Sequence, residues 1–295
     1  MSNYAFDSAR PVLIIGTGVM GSLVAWACAR SGIPVHAFDA EAGRAEAALD
    51  ECLGWSPEDE QRIVKTNFQV FDNLEQASSG VQLAFENTYE DLAVKTEILG
   101  RVARLLPPHV FMGSNASSLP CSPLAEASGR PDRFFNLNFT DPRISRLVEL
   151  MGCPATSPET IVFAKQWARH LGMIPLHVTR EQMGYSFNRI WRVIKKEVLR
   201  QIAEGYATAE NIDRAWMLSF GTDSGPCGMM DSISLPTVKK VEQQYYLDSG
   251  DEGDKPPEFL TRMIDQGSWG VASGQGFYQY PNPAYRQPGW LEDSD

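Results

Sequence analysis

The sequence predicts an α/β chain in two parts: a strand–helix half over residues 1–180, built on a parallel sheet, and a mostly α-helical half over residues 181–295. Three observations predict it. Short apolar runs such as PVLII (11–15) recur in the first half, and such a run is how a parallel strand buried on both faces reads. Helical spacing fills the gaps between the runs, which gives the alternation a βαβ chain needs. After Gln182 that alternation stops and long amphipathic patterns replace it. A length of 295 residues fits two domains at about 150 residues each.

The elements follow in order. A strand from Pro11 to Ile15 breaks at Gly16, and helical spacing from Ser22 to Arg30 is stopped by Gly32. A second strand, Pro34 to Phe38, ends at Asp39, and an Ala- and Glu-rich helix runs from about Ala42 to Leu53. VQLAFEN (81–87) reads as a strand, Glu90 to Leu106 as a helix, and HVFMGSNAS (109–117) as a strand entering a polar loop. RFFNLNF (133–139) and MIPLHVT (173–179) close the half, with a helix from Glu159 to Leu171 between them. In the second half, Phe187 to Gly205 and Ala209 to Leu218 are amphipathic helices. DSGDEGDKPP (248–257) is acidic and rich in Gly and Pro and reads as an exposed loop. Residues from Pro281 to Asp295 read as a loosely held tail.

Apolar residues make up 43% and charged residues 21%, the balance of a soluble globular protein. A net charge of −11 repels phosphate backbones and anionic lipids, which argues against nucleic-acid or membrane partners. Any anionic ligand therefore has to meet a local positive site. The five cysteines are scattered without a C-x-x-C spacing, which fits reduced cytosolic thiols better than disulfides or a metal site. The first ten residues hold no apolar secretory region, and no apolar run approaches the ~20 residues of a membrane span, so the expected compartment is the cytoplasm.

Gly16-Thr17-Gly18-Val19-Met20-Gly21 is a G-x-G-x-x-G sequence that follows a strand, opens a helix and lies within a β-α-β unit. Gly16 permits the tight turn, Gly18 lets backbone approach a pyrophosphate, and Gly21 lets helix and strand pack closely. The pyrophosphate would rest on the helix N-terminus formed by Val19 and Met20, where free N–H groups and the dipole favour negative charge. Asp39 ends the second strand, placed to accept bonds from ribose hydroxyls and to repel a 2′-phosphate. Against this stands a plain glycine turn with an incidental aspartate. The context favours a Rossmann dinucleotide-binding domain with NAD as cofactor and a small-molecule substrate.

The likeness extends beyond the fingerprint. FENTYEDLAVKTEIL (85–99), SNASSLP (114–120), RFFNLNFTDP (133–142), LVEL (147–150), MGYSFNR (183–189), EGYATAENID (204–213), SGPCGMMD (224–231) and SGQGFYQY (273–280) stand in the order and spacing of one family. The chain resembles the 3-hydroxyacyl-CoA dehydrogenases over nearly all its length. The resemblance implies a Rossmann domain, a helical C-terminal domain that forms the interface of a homodimer, and an active site in the cleft between them. It matches Glu90 and Lys95 to nicotinamide-ribose contacts, with Asn115 of the SNASSLP segment also on the cofactor side. Ser117 matches a residue that binds the substrate oxygen, Asn188 a further site residue, and Glu149 the carboxylate that orients the catalytic histidine. Against these roles stand plainer readings: Glu90 and Lys95 as helix-surface charges, Ser117 as a turn residue and Asn188 as a helix cap.

The pattern breaks at two places. The family reads H-F-F-N-P around its catalytic base, where this chain reads Asn138-Phe139-Thr140-Asp141-Pro142. An asparagine takes no proton at physiological pH. The segment to Glu149 is also one residue shorter than in the family, which puts the placement of Glu149 in question. His36, His109, His170 and His177 sit in or beside strands and at a helix end, each better read as structural. Asp141 and Glu149 remain as carboxylates that could handle a proton, and the Asn138 amide can donate to a carbonyl oxygen. The second break is GWSPEDEQRIVKTNF (54–68): it is short and carries Glu58, Asp59 and Glu60 where the family has basic residues for CoA.

These readings point to hydride transfer between NAD(H) and a small hydroxy or oxo compound, not a CoA thioester. The alternative is a degenerate NAD-binding member without turnover, a sensor or structural protein. A lysine-based 3-hydroxyacid dehydrogenase ranks third: Lys195 and Lys196 lie in the second half, but its G-x-x-x-K-x-x-N pattern is absent.

Overall fold

The computed structural model describes residues 5–292, and the chain divides into two compact units, Met1–Ser186 and Phe187–Asp295. Strands β1 (Val12–Ile15), β2 (Val35–Phe38), β3 (Phe68–Val70), β4 (Leu83–Glu86), β5 (Phe111–Ser114), β6 (Phe134–Phe139), β7 (Leu147–Met151) and β8 (Ile174–Val178) form one sheet ordered β3-β2-β1-β4-β5-β6-β7-β8. The strands from β3 to β6 are parallel; β7 pairs antiparallel with β6, and β8 runs with β7. Strand order reverses between β1 and β4, so a crevice opens at their carboxyl ends, where doubly wound sheets bind nucleotides.

The strand alternation distributes the core over both faces. Val12 and Ile14 of β1 point to a cluster with helices α1 (Val19–Arg30) and α2 (Arg44–Trp55), while Leu13 and Ile15 point to the opposite cluster. The first cluster also takes Val64 of α3 (Glu58–Asn67). The second is covered by α4 (Leu74–Ala77), α5 (Leu92–Leu105) and α6 (Cys121–Ala127). Helix α7 (Pro158–His170) returns to the first face and sets Trp167 edge-on against Phe85, Phe135 and Phe139. Each such fully buried apolar side chain contributes about 1.5–3 kcal/mol.

The expected strands and helices of this half are present, and the structure adds β3, β7, α3, α4 and α6. Residues 54–68 are not merely a short connection: α3 occupies most of them and is tied to α1 by the Arg30–Glu60 ion pair at 3.1 Å.

The second unit is helical: α8 (Phe187–Ala203), α9 (Ala209–Phe220), α10 (Pro226–Ile233), α11 (Leu235–Ser249) and α12 (Glu258–Asp265). Two buried carboxylates organise it. Asp213 accepts from Cys227 N and Gly228 N at the start of α10 and from the Tyr278 hydroxyl at 3.0 Å. Asp231 accepts from Phe277 N, Tyr278 N and the Tyr280 hydroxyl. Burial raises both carboxyls above the usual range, and these bonds offset it. A Cβ on Gly225 or Gly276 would lie 2.4 or 2.0 Å from those aspartates, which explains both glycines.

Two expectations for this half need correction. The stretch 248–257 is pinned, not free: Asp254 is buried and held by Arg192 at 2.6 Å, Lys196 and Ser249. Nor is the tail loose through residue 292. Tyr285 is buried in the core with Trp290 packed against it, and Arg214 donates to Trp290 O at 3.0 Å while lying over its ring. Residues 293–295 lie outside the described residues.

Candidate active site

At the end of β1 the backbone turns at Gly16, whose φ of +81° is open to glycine but strained for other residues. Gly18 then precedes α1 with no side-chain cap, so the first-turn N–H groups are offered to something other than a side chain. A Cβ on Gly21 would stand 1.8 Å from Gly16 O, so only glycine lets α1 approach the turn; one on Gly18 would meet nothing within 4 Å. Asp39 closes β2 and accepts from Thr17 N at 2.6 Å, from the Thr17 hydroxyl at 3.1 Å and from Glu41 N at 3.0 Å. A carboxylate has about four acceptor sites, so capacity is left for a ligand hydroxyl.

These groups line a cavity of about 620 Å³ with Val19, Met20, Asn87 and Thr88. The Oδ1 atom of Asn87 is buried there without a partner among the described residues. A buried acceptor left unsatisfied costs about 1–3 kcal/mol, so the orphaned atom marks a wall built for a ligand. The open space above Gly18, the uncapped helix start and the carboxylate at the end of β2 fit a dinucleotide.

A buried charge network stands at the neighbouring strand ends. Glu86, the last residue of β4, is fully buried and takes the Lys95 ammonium at 2.9 and 3.1 Å, the Ser114 hydroxyl at 2.6 Å, and Thr88 N. Lys95 is only 1% exposed; it also donates to Thr88 O at 3.1 Å and lies 3.6 Å from Glu90. Glu90 in turn accepts from Ser117 N at 2.8 Å, Ser118 N at 2.6 Å and Leu119 N at 3.3 Å. The chain Glu86–Lys95–Glu90 thus clamps the SNASSLP loop that carries Ser117. Glu90 and Lys95 are brought together: Lys95 is buried in the network, and Glu90 stands at its exposed edge, bonded to the loop backbone. Sequence reasoning did not single out Glu86 or Asn87, although a carboxylate ending a wholly apolar strand was the available signal.

The third part is the β6–β7 pair. Phe135, Leu137 and Phe139 face the core with Trp167, so the alternation puts Asn136 and Asn138 on the other face. The antiparallel register sets Asn138 directly opposite Glu149, and such partners have Cβ atoms about 4.5–5.5 Å apart. The segment between the two strands, residues 140–146, is the turn that joins β6 to β7. Asn115 fixes the strand end by accepting from Phe139 N at 2.8 Å. Glu149 is 2% exposed and accepts from Ser186 N at 3.0 Å. The Asn138 amide is half-buried and hydrogen-bonds to none of the described residues.

The other candidates of the first unit are engaged elsewhere or point to the opposite face of the sheet. Asp141 is gripped by Arg143 through both carboxylate oxygens, at 2.6–3.1 Å, and that hydrogen bonding holds its carboxyl below the usual range. Asn188 opens α8 in the second unit. His36 is bonded to Ala77 O and His170 to Ser31 O. His177 pairs with Leu150, the neighbour of Glu149, so its side chain points to the opposite face of the sheet. Among the described residues no group of three His, Cys, Asp or Glu side chains is placed to hold a metal ion, and no helix is long and apolar enough to cross a membrane.

Comparison with known proteins matches residues 11–182 to the family described as 3-hydroxyacyl-CoA dehydrogenase, NAD binding domain, and residues 184–280 to the 3-hydroxyacyl-CoA dehydrogenase C-terminal domain. A probable 3-hydroxybutyryl-CoA dehydrogenase of Bacillus subtilis is 30% identical over 281 residues, covering 92% of this chain and 97% of the relative. The mitochondrial hydroxyacyl-coenzyme A dehydrogenase of Sus scrofa is 28% identical over 300 residues, covering 95% of each. Among solved structures, (S)-3-hydroxybutyryl-CoA dehydrogenase from Ralstonia eutropha superposes with a TM-score of 0.83 at 26% identity, covering 93% of this chain and all of that one. A diketoreductase described as acting on dicarbonyl compounds gives 0.85 at 26% identity with the same coverage.

Proposed function

This chain belongs to the 3-hydroxyacyl-CoA dehydrogenase family and is an NAD-dependent oxidoreductase acting on CH–OH groups; from that premise we propose that it transfers hydride between NAD(H) and a small hydroxy or oxo compound, not a CoA thioester. The observation that carries the reading is the first turn of α3. A helix N-terminus attracts anions, but here Glu58, Asp59 and Glu60 occupy it. Three carboxylates repel the phosphates of a CoA nucleotide there. The same helix carries Arg62 and Lys65, which share an open hollow with Glu58, so the local field is mixed and not phosphate-attracting. The likeness to a diketoreductase supports a small dicarbonyl or hydroxycarbonyl substrate.

NAD supplies the hydride acceptor or donor when bound, held by the α1 N-terminus and Asp39. The chain's own residues handle the oxygen and its proton. Asn138 cannot titrate, so its amide donates to the substrate oxygen and stabilises charge developing there. Ser117 adds a polar contact to that oxygen. Glu149, across the strand from Asn138, takes or returns the proton. Asp141 is dropped from that role because Arg143 holds it ionised. Lys95 acts through Glu90, as a support of the Ser117 loop. The exposed apolar residues Phe187, Ile190 and Val193 of α8 and Phe220 of α9 support a homodimer formed through the second unit, which sedimentation analysis would test. The cytoplasm is the compartment consistent with its free thiols.

The test is NADH consumption with acetoacetyl-CoA set against free 3-oxo acids and small diketones. Turnover of a small oxo compound is expected, with kcat/KM for acetoacetyl-CoA at least about 10²-fold lower. Reduction of acetoacetyl-CoA at an ordinary ~10 s⁻¹ would overturn the proposal. The loss of a titratable group at position 138 favours one second reading, an NAD-binding member without turnover. That reading requires NAD binding by calorimetry and no oxidation or reduction across the whole panel.

A further inference from the structure

We propose that Tyr185 is a positioning residue that locks the Ser117 loop against the Glu149 carboxylate, a step that rests on the roles proposed above for Ser117 and Glu149. Tyr185 lies in the turn after β8, inside the MGYSFNR segment. Its ring is fully buried in the core cluster that holds Ala116, Leu124 and Met151. Its backbone is strained: φ is +51°, the left-handed region, where a Cβ crowds the following carbonyl oxygen. Among the described residues only Ser234 shares a positive φ without being glycine. Gly184, just before it, takes the same region at φ +77° without that strain. Gln182 holds the turn from within: its Nε2 donates to Tyr185 O at 3.0 Å, and its backbone N–H donates to Met151 Sδ at 3.3 Å. Strain of this kind persists only where the surroundings over-determine it, and it concentrates at functional sites.

The strained residue reaches both parts of the site. Its hydroxyl donates to Ala116 O at 2.8 Å, and the next residue, Ser186, donates its N–H to Glu149 Oε1 at 3.0 Å. Ala116 O and Ser117 N belong to one peptide unit, which is planar and rigid. Ser117 N donates to Glu90 at 2.8 Å, so the plane is held at both ends, by Tyr185 at the oxygen and by Glu90 at the nitrogen. Two such bonds fix the rotation of the plane and, with it, the direction in which the Ser117 side chain leaves the backbone. A phenylalanine would fill the same space but leave a buried carbonyl without this donor. Packing accounts for the ring; it accounts neither for the hydroxyl aimed at the loop nor for the left-handed backbone. Because Ser186 N follows directly, one turn sets the Ser117 hydroxyl and the Glu149 carboxylate relative to one another. A contact misplaced by ~1 Å can cost about 10²-fold in rate, which is what such a lock prevents.

The test compares Tyr185→Phe, Ser117→Ala and the double variant in NADH consumption with the best small oxo substrate, each rate taken per NADH-binding site. Tyr185→Phe is expected to lower kcat about tenfold, with KM little changed and the NADH dissociation constant within about twofold. Loss of folded protein lowers the number of NADH sites and leaves the rate per site alone, so a merely structural role does not give this result. The double variant is expected to be no slower than Ser117→Ala, because the lock acts through Ser117. Amide exchange followed by NMR reads the lock without any substrate. The Ser117 N–H is expected to be protected in the unmodified protein and to exchange at least about tenfold faster in Tyr185→Phe, with the β5 amides unchanged. Full kcat in Tyr185→Phe, losses that add in the double variant, or a Ser117 N–H that exchanges freely in the unmodified protein would overturn the proposal while leaving the roles of Ser117 and Glu149 standing. Full activity in Ser117→Ala would instead remove the premise, and the proposal with it.

Discussion

At the β1–α1 turn the working groups are backbone atoms, whereas at the β6–β7 pair they are side chains set by strand register. The first site depends on the absence of Cβ atoms: Gly21 lies against Gly16 O, and Gly18 opens onto empty space. The second depends on which residue stands across from which, Asn138 against Glu149. The backbone site is sensitive to an added Cβ at Gly16, with its positive φ, and at Gly21, against a carbonyl oxygen. In the side-chain site, Asn115 and the β6–β7 ladder fix where the residue at position 138 stands, whatever its side chain. On the proposed reading, the first site holds the cofactor and the second handles the substrate oxygen and its proton.

The sharpest contrast lies between two glycines. Gly21→Ala forces a Cβ into a carbonyl oxygen and is expected to abolish measurable NADH binding and lower the thermal midpoint. Gly18→Ala meets no protein atom, so it should fold normally and lose only cofactor affinity, by about tenfold or more. NADH fluorescence titration beside thermal melts separates them, and equal melting temperatures for the two variants would break the comparison. Next in size is Lys95→Met, which strands Glu86 as a buried, unpaired charge and is expected to cost about 3–5 kcal/mol by denaturant unfolding. A change under about 1 kcal/mol would show that the clamp on the Ser117 loop does not need Lys95.

A smaller effect is expected at Asp39. Asp39→Ala should narrow the preference for NAD over NADP by about tenfold, read from the ratio of dissociation constants. Equal affinity for both cofactors in the unmodified protein would remove Asp39 from the ribose. The smallest concerns Asp254, whose carboxyl is lowered to about 2 by the Lys196 ammonium and further bonds from Ser249 and Arg192. A depressed carboxylate contributes stability that is fully present above its unfolded value of about 4 and is lost as pH falls through about 2. Asp254→Asn should therefore destabilise the chain at pH 7, with the difference from the unmodified protein shrinking between pH 4 and pH 2. A difference independent of pH would assign its effect to packing.

The same contrast decides what the sequence made legible. The glycine spacing, the alternation of apolar runs and the aspartate after β2 are local signals, and each lands on the element expected of it. Strand β3 is only three residues, too short to show a period, and β7 follows a charged turn that hides its alternation. The Asn138–Glu149 register joins residues across an antiparallel turn, a pairing that counting along the chain does not show. Glu86 escaped notice because its role comes from Lys95, Ser114 and Thr88 gathering around it. The segment 248–257 has the composition of a loop, but Arg192 and Lys196 reach it from α8, sixty residues earlier.

The central proposal is that the Asn138 amide makes the oxygen contact while NAD is held separately at the β1–α1 turn. Its most direct test is Asn138→Ala, assayed with NADH and the best small oxo substrate alongside NADH titration. The expected result is a kcat lowered by about 10²-fold or more, the loss typical of one donor aimed at developing charge, with the NADH dissociation constant within about twofold of the unmodified protein. Full activity in Asn138→Ala would contradict the claim.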